Sequence, residues 1–200
     1  ISHEYDTLAP SNLDVFTKTV RSGMAYDDST TKLGRLTHYV DTITSDPLNR
    51  DKSPNPNLVT VKTVDIDPKT NAVDASSGLV TGYDAFNRMI GYTEASHEYY
   101  VDAADSTDYG ILDLTTTTVR SGMLYDGGSP LKFGRLTGYT DTIRSSASNN
   151  LETRKTISGM VFDTKNRAIG YVESSDEYYI DVSGNKDTMQ LNLTSTTVRS

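Results

Sequence analysis

The stretch from Thr115 to Gly128 reads TTTTVRSGMLYDGG, and its middle returns as TKTVRSGMAYDD from Thr17 and as TSTTVRS from Thr194. A phrase copied inside one chain marks a repeat architecture, in which each unit is too small to bury its apolar face alone and leans on its neighbours. Working outward, the SGM phrase extends to SGMAYDDSTTKLGRLTHYVDTI from Ser22, SGMLYDGGSPLKFGRLTGYTDTI from Ser121, SGMVFDTKNRAIGYVES from Ser158 and, more loosely, SGLVTGYDAFNRMIGYTEA from Ser77. A second phrase alternates with it: SHEYDTLAPSNLDVFTKTVRS from Ser2, SHEYYVDAADSTDYGILDLTTTTVRS from Ser96 and SDEYYIDVSGNKDTMQLNLTSTTVRS from Ser175. The chain therefore divides into a partial B module (1–22), an A module with a long loop (23–76), a B module (77–120), an A module (121–157) and a B module (158–200) that stops inside the repeated phrase.

The copies reveal what each position requires. The B modules link their strands through DAFNR (Asp84 to Arg88) and DTKNR (Asp163 to Arg167), whereas the A modules use longer links ending in LGR and FGR. Asn87 and Asn166 thus stand where Gly34 and Gly134 stand. Glycine and asparagine share chiefly a tolerance of positive φ, so the position is the left-handed residue closing a hairpin, and the opening Asp is the side chain that bonds turn amides. The flanks agree: Arg135, Thr137, Tyr139, Asp141 and Ile143 alternate with Leu136, Gly138, Thr140 and Thr142, while Val119, Ser121, Met123 and Tyr125 share a face. Thr-rich runs favour extended chain because β-branching restricts χ1. The expected fold is all-β, an elongated tandem array of antiparallel hairpins with little or no helix. Polar stretches at Ser45–Leu58, Ser145–Asn150 and Asp102–Gly110 read as surface loops.

Composition narrows the function classes. A hydrophobic fraction of 35% predicts a thin core, and the formal charge of −8 opposes nucleic acid or an anionic membrane, which need a concentrated basic face. No apolar run reaches the roughly 18 residues of a helical membrane span. The Ile1 start, with neither initiator Met nor signal peptide, reads as a mature product or an excerpt. Zero cysteine excludes disulfides, Cys-ligated zinc and thiol catalysis.

The cores YDAFNR, YD…LGRLT and YD…FGRLTGYT resemble the YD repeat of the RHS family, whose signature is Tyr-Asp, two variable residues, Gly-Arg-Leu. Tyr83, Asp84, Asn87 and Arg88 match that spacing with Asn for Gly. Tyr26, Asp27, Gly34, Arg35, Leu36 and Tyr125, Asp126, Gly134, Arg135, Leu136 match in type with longer loops; Phe162, Asp163, Asn166 and Arg167 form the fourth copy. The whole phrase looks more particularly like giant bacterial cell-surface repeat proteins. That resemblance implies an extracellular or cell-surface array of stacked hairpins whose partners are further copies of itself or adjoining repeats of a longer chain. In the RHS family such arrays form toxin-enclosing shells.

Candidate chemistry is sparse. His97 and Glu98, like His3 and Glu4, are strand neighbours pointing to opposite faces, so they do not converge as metal ligands or an acid–base pair. His38 stands where Gly138 stands, which argues against essential chemistry there. Asp102, Asp105 and Asp108 make an oxygen-rich loop of the kind calcium uses, but its sister loops are poorer in acid. Asn192 opens the one N-x-S/T sequon and is a candidate glycosylation acceptor. The recurring Arg88, Tyr92, Glu94 and Arg167, Tyr171, Glu173 admit two readings, a carbohydrate platform or a structural ladder pairing Arg with acid and Tyr with Tyr across strands, of which recurrence favours the ladder. The sequence thus points to a structural repeat segment of a surface fibre, not an enzyme, with no cofactor and no catalytic residue. The alternatives are an adhesin or glycan-binding module and a toxin-encapsulating shell segment.

Overall fold

A computed structural model of the chain describes residues 2–5, 14–27, 34–47, 57–69, 72–73, 78–101, 112–127, 134–148, 151–180 and 190–199. The strands in chain order are β1 (Ser2–Tyr5), β2 (Asp14–Tyr26), β3 (Leu36–Pro47), β4 (Asn57–Asp65), β5 (Ala72–Val73), β6 (Val80–Tyr83), β7 (Met89–Val101), β8 (Asp113–Tyr125), β9 (Leu136–Ser145), β10 (Leu151–Phe162), β11 (Ala168–Tyr179) and β12 (Gln190–Arg199). Ten of them lie side by side in one antiparallel meander, β1-β2-β3-β4-β7-β8-β9-β10-β11-β12, while β5 and β6 form a side branch on β7. Among the described residues the sole helical element is the three-residue turn Ser146–Ser148. The all-β hairpin array expected from the repeats is what the chain forms.

The turns follow from their residues. Asn87 and Asn166 have φ of 63° and 62°, and Gly34 and Gly134 have 62° and 53°. In DAFNR the Asp84 carboxylate accepts from the amides of Phe86 (2.8 Å) and Arg88 (2.9 Å), and in DTKNR Asp163 accepts from Lys165 (2.9 Å) and Arg167 (2.8 Å). The longer A links close on the same atoms: the Arg135 amide donates to Asp126 (2.7 Å), and the Asp126 amide donates back to the Arg135 carbonyl (2.9 Å). Loop length varies while the closing pair does not.

Two features break the simple alternation. The glycine of SGM is a bulge: Gly23, Gly122 and Gly159 have φ of 61°, 59° and 60°, and the register slips there in β2, β8 and β10. Two residues on one strand then oppose one tyrosine on the next, which adds local twist. The second feature distinguishes the two long repeats. β10 is one strand whose first half pairs with β9 and whose whole length pairs with β11. In the earlier repeat the equivalent strand is split into β4 and β6, with β5 in the excursion between them. The sheet is thus two strand quartets, β2-β3-β4-β7 and β8-β9-β10-β11, with β12 opening a third. The phrase boundaries at 22/23 and 120/121 fall inside β2 and β8. The segment 45–58 is also shorter as a loop than the sequence suggests, since Ser45–Pro47 belong to β3 and Asn57–Leu58 to β4.

Burial is thin. The hydrophobic residues below the surface include Val64, Ile66, Ala72, Tyr83, Val119, Met123, Ile157 and Ile180, and the densest cluster is Val64, Ile66 and Tyr83 under Leu36, Tyr39, Met89 and Tyr92. That cluster sits where β6 folds onto β7. With so few buried hydrophobic residues among those described, side-chain locks between strands supply much of what a deep core would have.

Candidate functional site

The repeat-signature residues assemble into one continuous ladder along the turn side of the sheet. Within a unit, the arginine closing the turn is held by its own aspartate: Arg88 Nε donates to Asp84 at 2.7 Å, Arg135 Nε to Asp126 at 2.6 Å and Arg167 Nε to Asp163 at 2.7 Å. Between units, the same guanidinium covers the aromatic ring of the next signature. Arg35 lies 5.1 Å from the Tyr83 ring centre, Arg88 4.8 Å from Tyr125 and Arg135 4.6 Å from Phe162. Such cation–π contacts are worth about 0.5–1 kcal/mol each near the surface.

Two further bonds tie unit to unit. The Tyr83 hydroxyl donates to the Leu36 carbonyl at 2.6 Å and the Tyr125 hydroxyl to the Met89 carbonyl at 2.5 Å. Both acceptors follow the signature arginine of the preceding unit. Arg35 reaches Asn87 Oδ1 at 2.5 Å and Arg135 reaches Asn166 Oδ1 at 3.0 Å, so the asparagine that closes one turn also anchors the previous unit's arginine. Tyr-Asp-Asn-Arg is thereby both a turn and a joint. Phe162 keeps the ring contact without the hydroxyl bond.

On the sheet face a second device repeats. Arg21 forms a forked pair with Asp41 at 2.8 and 2.7 Å, and Lys62 reaches Glu94 at 3.2 Å; in the later quartet Arg120 forks onto Asp141 at 2.7 and 2.7 Å, and Lys155 reaches Glu173 at 2.9 Å. Arg21, Asp41 and Lys62 lie in one cross-strand row, as Arg120, Asp141 and Lys155 do. The arginines also stack on tyrosines, Arg21 at 4.0 Å from Tyr39 and Arg120 at 3.9 Å from Tyr139 and 5.4 Å from Tyr92. The ladder thus differs from the one the sequence suggests. Arginine does pair with acid across strands, but at Arg21–Asp41 and Arg120–Asp141; Glu94 and Glu173 pair with lysine, and Tyr92 meets Arg120 rather than another tyrosine.

Electrostatics follow from these contacts. Burial pushes the Asp84 carboxyl up, but the hydrogen bonds from Arg88 and the Phe86 amide outweigh it and hold it below the usual range. Hydrogen bonds from the Arg167 amide and guanidinium lower Asp163, and the Arg21 guanidinium lowers Asp41. Burial raises the Tyr83, Tyr92 and Tyr125 phenols. At neutral pH these carboxylates are firmly ionised acceptors and these phenols neutral, with Tyr83 and Tyr125 donating to carbonyls, states suited to holding strands together.

The remaining candidates lie apart from the ladder. His38 Nδ1 is 2.8 Å from Asp65 and His97 Nε2 is 2.7 Å from Asp113, each a cross-strand pair. Among the described residues no group of three or more His, Asp or Glu converges as a metal site. Asp102, Asp105 and Asp108 lie outside the described residues, and the side chains of His3 and Glu4 likewise. Asn192 is the extra backbone residue where β12 slips register, between the partners of Glu177 and Tyr178. Sequence reasoning missed Glu152, among the described residues the most deeply buried side chain, clasped by Arg144 at 2.7 Å and Arg154 at 3.2 Å. It belongs to neither repeated phrase, and its one sequence signal is a lone acid in the basic run LETRK.

No protein-family model, curated protein or solved structure matches the chain. Among the described residues no helix is long and apolar enough to cross a membrane.

Proposed function

We propose that this chain is a structural repeat segment of an extracellular or cell-surface fibre, built as a sheet that lengthens by adding strand quartets. The observation that carries this reading is the inter-unit ladder: the arginine-to-ring contact recurs at Tyr83, Tyr125 and Phe162, and the tyrosine-to-carbonyl bond at Tyr83 and Tyr125. A joint with repeated geometry extends without limit, whereas a catalytic site needs groups that occur once. The resemblance to YD-repeat surface proteins points the same way.

The glycan-binding reading calls for repeated aromatics on an open face. The signature rings Tyr83, Tyr125 and Phe162 instead lie between units, with Tyr83 buried and Tyr125 capped by Arg88, while Tyr26 is exposed. What favours it is a shallow depression of about 280 Å³ lined by Thr63, Ser96, His97, Tyr99 and Thr115–Thr117.

Six copies in genetic tandem, imaged by negative-stain electron microscopy, test the reading. Straight rods lengthening by roughly 48 Å per copy, the ten strands of the meander at the usual strand spacing, are expected. Closed hollow particles would support the shell reading instead, and compact globules would sink both. Binding on a glycan array that is lost in His97→Ala would favour the adhesin.

A further inference from the structure

The two quartets share their locks and differ in one patch. β3 and β9 carry LTHYVDTITS and LTGYTDTIRS, and each pairs with the next strand in the same register, Asp41↔Lys62 as Asp141↔Lys155. The backbone ladder therefore does not tell β4 from β10. Exchanged, β9 could lie on β4 and β3 on β10 with their hydrogen bonds replaced like for like. The side chains on the face opposite the Arg–Asp locks do tell them apart. Where the first quartet sets Thr44 against Val59 and Thr42 against Val61, the second sets Arg144 against Glu152 and Thr142 against Arg154. Glu152 is 1% exposed and accepts from both arginines, from Arg144 Nε at 2.9 Å and Nη2 at 2.7 Å, and from Arg154 Nη2 at 3.2 Å. As a source of stability the cluster is poor. Arg154 Nε and Thr142 Oγ1 are buried with no hydrogen-bond partner among the described residues, and a buried ion cluster adds little over apolar side chains such as Val59 and Val61.

We propose that Arg144, Glu152 and Arg154 form a pairing key, by which β9 accepts β10 and refuses β4, in its own chain and in any neighbouring copy. Exchange would set Thr44 against Glu152 and leave that carboxylate only the longer of its arginine bonds, while Arg144 would face Val59 with no acid. Removing one partner of a buried charge costs far more than the intact pair contributes. The key therefore acts by penalising the wrong arrangement. Shape adds to charge: a Cβ at Gly138 would press on the Ile157 carbonyl oxygen of β10, and β3 carries His38 at that place, paired with Asp65 of β4. Near-copies of one phrase at high local concentration invite strand exchange, and this unrepeated cluster is what separates the two quartets. The inference rests on the strand pairing alone and not on the fibre reading.

The native chain lacks cysteine, so introduced cysteines report cleanly. Thr140 lies beside Thr156 of β10, their hydroxyl oxygens 3.2 Å apart. After exchange it would face Thr63 of β4, which in the native sheet is three strand spacings away, roughly 14 Å. A chain with Thr63→Cys and Thr140→Cys therefore crosslinks, within one copy or between two, only where β9 has taken β4; Thr140→Cys with Thr156→Cys is the positive control. All chains carry His38→Gly, so that charge alone is read. Each is refolded from urea under reducing conditions and oxidised, and the 63–140 disulfide is quantified by mass spectrometry. Two variants erase the difference between quartets. Arg144→Thr with Glu152→Val and Arg154→Val removes the key, whereas Thr44→Arg with Val59→Glu and Val61→Arg copies it into the first quartet and leaves the second intact. Each should raise the 63–140 disulfide about tenfold or more over the reference chain. A cluster that served stability alone would give no rise when copied, so the copied key decides even where the emptied variant does not refold. No rise in a refolded variant of either kind, or a reference chain that crosslinks as strongly as the positive control, would overturn the proposal. Whether tandem copies form rods does not bear on either result.

Discussion

The phrase VRSGM, with its tyrosine two residues on, occurs in two surroundings, and the contrast isolates what a neighbouring unit contributes. In β8, Val119 is 5% exposed and Met123 9%; in β2, Val20 is 45% exposed and Met24 48%. The internal partners are the same in both places: Arg21 forks onto Asp41 as Arg120 forks onto Asp141, and each arginine stacks on the following tyrosine. What differs is β7 with the turn before it, which lie on β8 and supply Tyr92, Met89 and Arg88. A hairpin in this protein therefore sets its own geometry through the turn, the bulge and the forked pair, and borrows its burial from next door.

Substitutions at matched positions sharpen that contrast. Val119→Asp places an unpaired carboxylate at a buried site and is expected to cost about 3–5 kcal/mol in urea denaturation, whereas Val20→Asp at the edge should stay within about 0.5 kcal/mol. Equal losses would mean that the edge is covered in solution. Gly91→Ala comes next, since a Cβ there would clash with the Arg120 carbonyl oxygen on β8. Forcing the two strands apart should cost about 1–3 kcal/mol. His38, at the corresponding place in β3, points to Asp65 instead, so His38→Ala should be mild and would break the comparison if it were not.

Removing a hydroxyl is a smaller perturbation. Tyr125→Phe leaves the Met89 carbonyl without its donor and should lower stability by about 1–2 kcal/mol, while Tyr26→Phe should change the melting temperature little. The natural Phe162 marks where that bond is dispensable. The weakest contrast is with pH. The folded-state Asp84 carboxyl lies below its unfolded value of about 3.9, so its contribution is fully present above pH 4 and lost as pH falls through the folded value. Thermal melts between pH 5 and 2 should therefore be flatter for Asp84→Asn than for the wild type. An unchanged slope would show that the turn carboxylate is not a source of acid sensitivity.

Much of the fold was legible because the repeats act as substitution experiments within one chain. Asn87 and Asn166 standing for Gly34 and Gly134 revealed the left-handed turn, and Asp before each revealed its closing bonds. β4 was less legible, since Asn57–Asp65 lies outside the copied phrases and follows a polar stretch. The bulge at SGM was hidden by alternation that reads straight through it; the signal was a glycine retained in all three close copies when Ala or Thr would serve a plain strand. The joint itself was half visible. Arginine and tyrosine recurred at fixed spacing, but the tyrosine's acceptors are the backbone carbonyls of Leu36 and Met89, and a carbonyl leaves no mark on a sequence.

The strands lie across the direction in which the units stack, and this decides how the molecule answers a pull. Tension along the stack acts in line with the interstrand hydrogen bonds, so strands detach one after another rather than shearing together. Each thirteen-residue strand such as β8, once peeled away, yields about 44 Å of slack while the stack shortens by only about 5 Å. Peeled this way, the sheet should lengthen stepwise under load and re-zip on release, which a single-molecule pulling trace would record as a regular saw-tooth at low force.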